Sequence, residues 1–286
     1  MKTVIYPNFS KKNAYETTGK VCSMLHNMGF EIFCGDNLRE RFPVKKYVKF
    51  MPLDDAAEMC DLIIAVGGDG TILEASAYAA ENDKLLLGIN TGRLGFMASM
   101  EPDELYNLSR LMSGDYVVES RMMLDCEFAG RGRNDSFTAL NDIVISSQFG
   151  RLADYFVEIN GSNVSTLRAD GVIFSTPTGS TAYALSAGGP ILEPGLECIQ
   201  MTPVCPHSLV SRTMLFSTDK KLEVTFRSRD NTPLYLSIDG KVCESAEQDD
   251  RLIITRSSKS LRLIDIQGNS FFNAVNKKLL NPIKDI

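Results

Sequence analysis

The apolar run Leu62-Ile63-Ile64-Ala65-Val66, followed at once by Gly67-Gly68-Asp69-Gly70-Thr71, is the feature that most constrains the fold of this chain. Five consecutive apolar residues are typical of a parallel strand that is covered on both faces. Helical spacing from Ile72 to about Ala80 follows the turn, and another buried run lies at 85–89. The same criteria predict strands at 2–6 and 30–34 and helices at 13–28, 54–59 and 102–112, with Asp54 capping the second and Gly29 ending the first. This alternation predicts an open, mostly parallel α/β sheet.

The second half of the chain has the pattern of a mostly β domain. Short runs with strand character are separated by turn residues such as Asn160-Gly161 and Asp239-Gly240. The runs are 121–128, 137–146, 154–159, 170–175, 222–227, 234–238, 251–255 and 261–266. We therefore predict an α/β domain over 1–117, rejoined by a closing helix within 267–286, and a β-rich domain over 118–266. Because clefts between domains are favoured binding sites, we expect the ligand to lie between the two.

Charge and residue counts exclude several classes of protein. The 30 Lys and Arg against 36 Asp and Glu give a formal charge of −6, which argues against a nucleic-acid or anionic membrane partner. No apolar run approaches the ~20 residues of a membrane helix, and the N-terminus lacks a signal-peptide pattern. The seven cysteines contain no C-x-x-C spacing, so we expect reduced thiols and a cytoplasmic protein. With only His26 and His207 present, carboxylates are the expected acid–base groups.

The glycine-rich turn is the strongest candidate for phosphate chemistry. Three glycines in four positions predict a close approach of the backbone to a ligand and positive φ angles. The helix that follows offers backbone N–H groups and the positive end of its dipole to a phosphate. Asp69 either positions Mg²⁺ or accepts a proton from an attacking hydroxyl. The alternative is an ordinary strand–helix turn in which Asp69 caps the helix. No G-K-[ST] follows, so the turn is not a Walker A loop.

Two further loops carry polar groups at strand ends. Asn141-Asp142 opens the run 143–145, and an amide beside a carboxylate can hold ribose hydroxyls. The alternative there is a turn capped by Asx hydrogen bonds. The loop Asn90–Phe96 follows a buried strand, where open α/β sheets bind ligands, and Arg93 in it either meets a phosphate or is an ordinary surface arginine.

A segment dense in small hydroxyl residues begins at Arg168-Ala169-Asp170-Gly171 and continues through Ser175-Thr176-Pro177-Thr178-Gly179-Ser180-Thr181-Ala182-Tyr183. We expect Ser180 or Thr181 to cap a short helix and the ring of Tyr183 to stack on a base. Ser186-Ala187-Gly188-Gly189-Pro190 closes the segment with another tight approach. The bland alternative is a Ser/Thr-rich loop.

Taken together in this order, these segments resemble the NAD kinase family, in its short bacterial type. G-G-D-G-T alone also occurs in phosphofructokinases and in diacylglycerol and sphingosine kinases. The succession N-T-G-R-L-G-F, N-D-I-V-I and D-G-x-I-x-S-T-P-T-G-S-T-A-Y-x-L-S-A-G-G-P is far more specific. The resemblance implies phosphorylation of the adenosine-ribose 2′-hydroxyl of NAD⁺ to give NADP⁺, with ATP as donor and a divalent ion such as Mg²⁺. It also implies a homodimer or homotetramer.

The resemblance assigns roles position by position. Asp69 matches the family's proton acceptor and Gly70 its neighbour. The positions that match dinucleotide contacts are Asp69, Gly70, Asn141, Asp142, Arg151, Arg168, Asp170, Thr181, Ala182, Tyr183 and Ser186. Arg151 lies within residues 147–154, where this chain and the family differ in length. From the residues themselves, we assign the phosphates of ATP to Gly67, Gly68, Gly70, Thr71 and Arg93. One departure is Lys241, where many members have Gln.

Two other classes of function use the same features. A lipid or sugar kinase would share the glycine turn, and a lipid kinase would add an apolar acyl channel. A non-catalytic dinucleotide sensor would have no need for the Asp69 carboxylate. The sequence leaves open whether polyphosphate replaces ATP, whether NADH is accepted and whether NADP(H) inhibits.

Overall fold

The computed structural model describes residues 1–92, 95–129, 135–147, 151–228, 232–248, 250–268 and 270–280. Its contacts divide the chain into two compact units. Unit 1 comprises Met1–Ser120 and Leu261–Ile286, and unit 2 comprises Arg121–Ser260. The domain boundaries at residues 117 and 266, which the sequence indicates, stay a prediction.

Unit 1 is built on a parallel sheet. Its strands are β1 (Lys2–Pro7), β2 (Glu31–Gly35), β3 (Val48–Met51), β4 (Leu62–Gly67) and β5 (Leu85–Asn90). They lie in the order β5-β4-β1-β2-β3, and every pairing among them is parallel. Arg262 and Leu263 extend the sheet by pairing in parallel with β5. Every residue of β4 is buried, as the apolar run predicted.

Helices occur in both units. The α-helices of the described chain are α1 (Ala14–Asn27), α2 (Leu53–Met59), α3 (Asp69–Glu81), α4 (Arg110–Ser113), α5 (Tyr183–Ser186) and α6 (Ser270–Val275). Tighter 3₁₀ turns lie at Asp36–Arg41, Lys45–Tyr47, Leu105–Ser109 and Thr178–Thr181, and a π-helical turn at Asn276–Leu280 follows α6.

The predicted helix ends are partly confirmed. Helix α1 ends before Gly29, whose φ of 80° suits a helix stop. The capping prediction for Asp54 is wrong, because α2 starts at Leu53 with Pro52 at its N-cap. The predicted helix at 102–112 is instead a 3₁₀ turn that passes into α4.

Unit 2 is built from antiparallel strands, the first and last of which continue into unit 1. They are β6 (Val117–Ala129), β7 (Ser136–Ala139), β8 (Asp142–Ser147), β9 (Ala153–Ile159), β10 (Ser162–Ala169), β11 (Gly171–Ser175), β12 (Cys198–Val204), β13 (Met214–Ser217), β14 (Leu222–Ser228), β15 (Leu234–Ile238), β16 (Lys241–Ala246) and β17 (Arg251–Asp265). One layer has the order β13-β12-β11-β8-β15-β16, and another has β10-β9-β14-β17. Apolar side chains of both layers, such as Phe174 and Val224, belong to one core cluster.

The predicted fold class, an α/β part followed by a mostly β part, is confirmed. Two details are wrong: the run 137–146 is two strands, and the runs 251–255 and 261–266 are one. The seven cysteines, all within the described residues, are free thiols. No helix in the described ranges is long and apolar enough to span a bilayer.

Candidate active site

The glycine turn joins β4 directly to α3, and its glycines are needed for space. A Cβ on Gly67 would lie 2.3 Å from Thr71 Oγ1, so only glycine fits over the buried Thr71. The predicted positive φ angles are wrong: Gly68 is extended, with φ of −119°, and neither Gly67 nor Gly70 has positive φ. The turn therefore depends on close backbone packing. Its Thr71 hydroxyl is turned inward, where it accepts a hydrogen bond from Asn8 Nδ2 at 3.2 Å.

Asp69 is the first residue of α3, and its carboxylate points away from that helix. Oδ2 accepts a hydrogen bond from the Phe96 amide at 3.0 Å, and Oδ1 accepts one from the Met97 amide at 3.3 Å. The alternative in which Asp69 caps its own helix is therefore wrong, since Gly68 is the N-cap and no side chain caps this end. Gly95 makes this arrangement possible, because a Cβ there would lie 1.8 Å from Asp69 Oδ1. The side chain stays 36% exposed, which leaves the carboxylate accessible to a substrate.

The loop after β5 thus has a defined role. Thr91 donates its amide to the Gly67 carbonyl at 2.8 Å, which ties this loop to the glycine turn. Arg93, the predicted phosphate contact, lies outside the described residues. The amides of Phe96 and Met97 are the groups that sequence reasoning missed, because nothing in a sequence shows which backbone amides a distant carboxylate will meet.

A cavity of about 860 Å³ opens in unit 1 at the carboxyl ends of β1 and β2. Tyr6, Asn8, Arg41 and Tyr78 are among its lining residues. Asn8 joins it to the glycine turn, because its side-chain Nδ2 donates to Thr71 Oγ1 and its backbone N–H donates to the carbonyl of Val66, just before the turn, at 3.0 Å. Strands β1 and β4 are neighbours from which the strand order runs in opposite directions, and such a switch point is where open α/β sheets bind ligands.

The cavity wall combines rings with a carboxylate. The Tyr6 hydroxyl donates to Glu74 Oε2 at 3.3 Å, and the rings of Tyr6 and Tyr78 lie 6.0 Å apart. Burial, followed by the nearby charge of Glu74, raises the pKa of Tyr6 to about 12. The phenol therefore stays protonated and acts as a hydrogen-bond donor at neutral pH.

In unit 2, Asn141 and Asp142 are held by the carboxylate of Asp239. Its oxygens accept hydrogen bonds from the amides of Leu140 at 2.9 Å, Asn141 at 2.7 Å and Asp142 at 3.0 Å. Asp239 itself lies in a hairpin turn, with φ of 50°, as its Asp-Gly pair predicted. The turn at 140–142 is therefore held by a residue almost one hundred positions away rather than by an Asx bond of its own.

Asp142 is a buried carboxyl group with an unusual charge environment. Burial raises its pKa to about 7, and the neighbouring charge of Asp239 adds to the effect. The Tyr183 amide, which donates to this carboxyl, acts in the opposite direction. Burial also raises the pKa of Asp239. Two carboxyl groups thus share one small region beside the predicted ribose contacts.

The segment after β11 packs against Asn141. A Cβ on Gly179 would lie 2.0 Å from the Asn141 carbonyl oxygen, and the Thr176 hydroxyl donates to the Leu140 carbonyl at 2.6 Å. The predicted capping of a helix by Ser180 or Thr181 is wrong. Buried Ser180 instead bonds the Pro177 carbonyl at 2.7 Å and the Leu192 amide at 2.9 Å. The Thr181 hydroxyl donates to the Thr178 carbonyl at 3.2 Å.

The remaining predicted contacts have different surroundings. Tyr183 and Ser186 are exposed, while Thr181 and Ala182 are half-buried. The Arg168 guanidinium is paired in a bidentate fashion with Asp154, at 2.6 and 2.8 Å, across β9 and β10. Asp170 is half-buried. Exposed Arg151 donates to Thr232 Oγ1 at 3.3 Å.

Comparison with known proteins agrees with this architecture. Residues 4–116 match the family model described as the ATP-NAD kinase N-terminal domain, and residues 140–266 match the ATP-NAD kinase C-terminal domain. An NAD kinase of Caldanaerobacter subterraneus subsp. tengcongensis is 36% identical over 97% of this chain and 98% of its own length. An NAD kinase of Magnetococcus marinus is 40% identical over 82% of this chain and 78% of its own.

Two solved structures share the fold. Yeast NADH kinase, complexed with NADH, has a TM-score of 0.88 at 23% identity, over 100% of this chain and 89% of that one. An NAD kinase from Archaeoglobus fulgidus in complex with ATP has a TM-score of 0.73 at 24% identity, over 97% of this chain and 98% of that one. The chain belongs to the ATP-NAD kinase family. It is a kinase that phosphorylates NAD, and the lipid kinase, sugar kinase and sensor alternatives are set aside.

Proposed function

We propose that this kinase transfers the terminal phosphoryl group of ATP to the 2′-hydroxyl of the adenosine ribose of NAD⁺, with Asp69 as the proton acceptor. The observation that carries the proposal is the Asp69 carboxylate, fixed by the amides of Phe96 and Met97 at the first residue of α3. A carboxylate held beside a helix N-terminus meets both needs of phosphoryl transfer, a positioned base and backbone donors for phosphate.

The mechanism assigns Asp69 a positioning role as well as a chemical one. The attacking hydroxyl would donate to the carboxylate at hydrogen-bond distance and lose its proton to it as the new P–O bond forms. The transition state of phosphoryl transfer is loose, so alignment contributes more than basicity. The two amide bonds keep the carboxylate from rotating, and the turn amides at Gly68 to Gly70 are available in the same place for phosphate oxygens.

The cavity of unit 1 is our candidate for the ATP site. It adjoins the switch point between β1 and β4, and Asn8 connects it to Thr71 in the glycine turn. The rings of Tyr6 and Tyr78 offer apolar faces to a base, and Arg41 offers a cation. Gly67 and Thr71, assigned to phosphate from the sequence, act in this proposal by shaping the turn, while Gly68 and Gly70 keep the contact role.

A divalent ion, with Mg²⁺ as the expected one, fits a site of this kind. The described residues hold no group of three or more His, Cys, Asp and Glu side chains that would bind a metal by themselves. Mg²⁺ in kinases is bound largely through substrate phosphates and water, so the phosphates of ATP would hold it here while Asp69 keeps its role as proton acceptor. When bound, the ion would neutralise charge on the phosphate oxygens.

We assign the dinucleotide to the residues of unit 2 around Asn141 and Asp142. The Asn141 amide and the Asp142 carboxyl can donate to and accept from ribose hydroxyls, and the exposed ring of Tyr183 can stack on a base. Asp170, Thr181, Ala182, Ser186 and Arg151 remain proposed contacts. The Asp154 pairing of Arg168 suggests that it orders β9 and β10 beside the dinucleotide. A cytoplasmic homodimer or homotetramer stays part of the proposal.

The test is turnover of the full chain with NAD⁺, ATP and Mg²⁺, coupled to an NADP⁺-specific dehydrogenase, which responds only to the 2′-phosphate. Asp69→Asn should keep NAD⁺ affinity within about threefold and lower kcat by about 10²–10⁴-fold, the usual contribution of a general base. Binding is measured by calorimetry on the same samples.

Asp55→Asn is the matched control, because Asp55 is an exposed aspartate in the first turn of α2 and should leave kcat unchanged. Near wild-type kcat for Asp69→Asn would refute the base assignment. A phosphorylated product that the dehydrogenase does not accept would refute the 2′-position.

A further inference from the structure

Lys278 approaches Asp69 from the far end of the chain. Its Nζ lies 3.8 Å from Asp69 Oδ2 and 4.2 Å from the centroid of the Phe96 ring. Lys278 belongs to the π-helical turn Asn276–Leu280, and both it and Asp69 are part of unit 1. π-Helical turns are rare in proteins, and those that occur are often found at functional sites.

The contact has two anchors that are independent of the ion pair. The ring face of Phe96 makes a cation–π contact with Lys278, and the backbone N–H of Phe96 donates a hydrogen bond to Asp69. The buried ring of Phe271 in α6 lies 6.5 Å from the Phe96 ring and connects the C-terminal segment to the same loop. Lys278 is therefore directed at the Asp69 carboxylate by packing, and its side chain remains 29% exposed.

We propose that Lys278 is a catalytic residue of the phosphoryl transfer, contacting the transferring group with its ammonium. The inference rests on the proposed function: if Asp69 accepts the proton of the attacking hydroxyl, that oxygen lies within about 3 Å of the carboxylate and the phosphorus about 3 Å further. An ammonium 3.8 Å from the same carboxylate can reach the equatorial oxygens of the phosphoryl group. A lysine has three donors, so it can bond Asp69 and a phosphoryl oxygen together.

A positive charge at this point favours the transition state over the bound substrates. Negative charge is spread over the equatorial phosphoryl oxygens as transfer proceeds, and a fixed cation beside them stabilises that state most. Lys278 should therefore affect kcat more than the KM of either substrate.

The experiment compares Lys278→Met, Lys278→Arg and Lys278→Ala with Lys277→Met. Methionine keeps an apolar stem on Phe96 and removes the charge. We expect it to lower kcat by about 100-fold with KM for NAD⁺ and ATP within about threefold. Arginine should restore part of the loss. Lys277, exposed and next in sequence, is the control and should keep wild-type kcat.

Chemical rescue separates a catalytic ammonium from a structural one. Added ethylammonium should raise the kcat of Lys278→Ala at least fivefold and leave Lys277→Met unchanged. Melting temperatures identify variants that lose activity by unfolding. A kcat within threefold of wild type for Lys278→Met would overturn the inference, as would a loss that neither arginine nor the amine restores. Asp69→Asn in the same assay reports on the proposed function separately, since that variant should lose turnover whatever Lys278 does.

Discussion

Replacing Gly95 by alanine puts a methyl group where the Asp69 carboxylate lies. The Cβ would be 1.8 Å from Oδ1, 2.6 Å from Cγ and 2.9 Å from Oδ2. Ordinary contact begins at 3.4 Å, so Oδ1 has to move by about 1.6 Å. The side chain can rotate away, but it then loses its bonds to the amides of Phe96 and Met97.

The size of the effect follows from these distances. A misplacement of about 1 Å at a reacting group costs roughly 100-fold in rate, so kcat for Gly95→Ala should fall by about 100-fold. Loss of two amide bonds to a partly exposed carboxylate should lower the free energy of unfolding by only about 1–3 kcal/mol. NAD⁺ affinity should stay within about threefold, because Asn141 and Asp142 are untouched.

The assay is the coupled measurement of NADP⁺ formation, together with thermal unfolding of each variant. Gly92→Ala is a control in the same loop, since a Cβ there would have no atom of the described residues within 4 Å. It should keep kcat within about threefold. If Gly95→Ala also kept wild-type kcat while folded, the carboxylate position described above would not be the catalytic one, and the reasoning would fail.

Three further predictions concern neighbouring groups. Asn8→Ala removes the hydrogen bond to Thr71, and steady-state kinetics should show a KM for ATP about tenfold higher with kcat little changed. A change in the KM for NAD⁺ alone would contradict the assignment of ATP to the cavity of unit 1. Asp239→Ala leaves three amides without their acceptor and should lower the free energy of unfolding, measured in urea, by about 3 kcal/mol. It should also raise the KM for NAD⁺ at least tenfold, and a KM equal to that of the wild type would show that Asp239 does not support the NAD⁺ site. The pKa of Asp142 is raised to about 7, so the folded state holds this proton more tightly than the unfolded state and stability falls as pH rises from about 4 to about 7. Asp142→Asn should remove part of this loss, on the order of 2 kcal/mol between urea titrations at pH 5 and pH 8, and an unchanged pH slope would contradict the burial effect.

The elements that sequence predicted best are those with one dominant signal. Strand β4 is apolar throughout and β15 agrees with the predicted run at both ends, because burial on both faces or strict alternation leaves no competing pattern. Strand β12 was not predicted, since Gln200, Thr202 and Pro203 interrupt its apolar residues even though they are mostly buried. Strand β10 is largely polar and exposed, and its pairing with β9 defines it.

The candidate site was predictable in its residue types and not in its contacts. The glycine turn and Asn141-Asp142 are recognisable as candidates because small and acidic residues at strand ends are typical of ligand-binding turns as well as of ordinary ones. The partners of these residues come from remote parts of the chain: Phe96 and Lys278 meet Asp69, and Asp239 meets the turn at Asn141. No local spacing contains such information, so the alternative in which Asp69 caps its helix and the expected cap by Ser180 or Thr181 were both wrong.

Unit 1 is formed by two separate stretches of the chain, and this has a consequence for biosynthesis. Arg262 and Leu263 are the pairing partners of β5, and Phe271 supports the loop that holds Asp69. During translation, residues 121–260 emerge before these partners exist, so β5 waits with an uncovered edge while unit 2, a continuous stretch, can already fold. We therefore expect the nascent kinase to lack activity until Phe271 has left the ribosome, and chaperone binding at the edge of β5 to be confined to that interval.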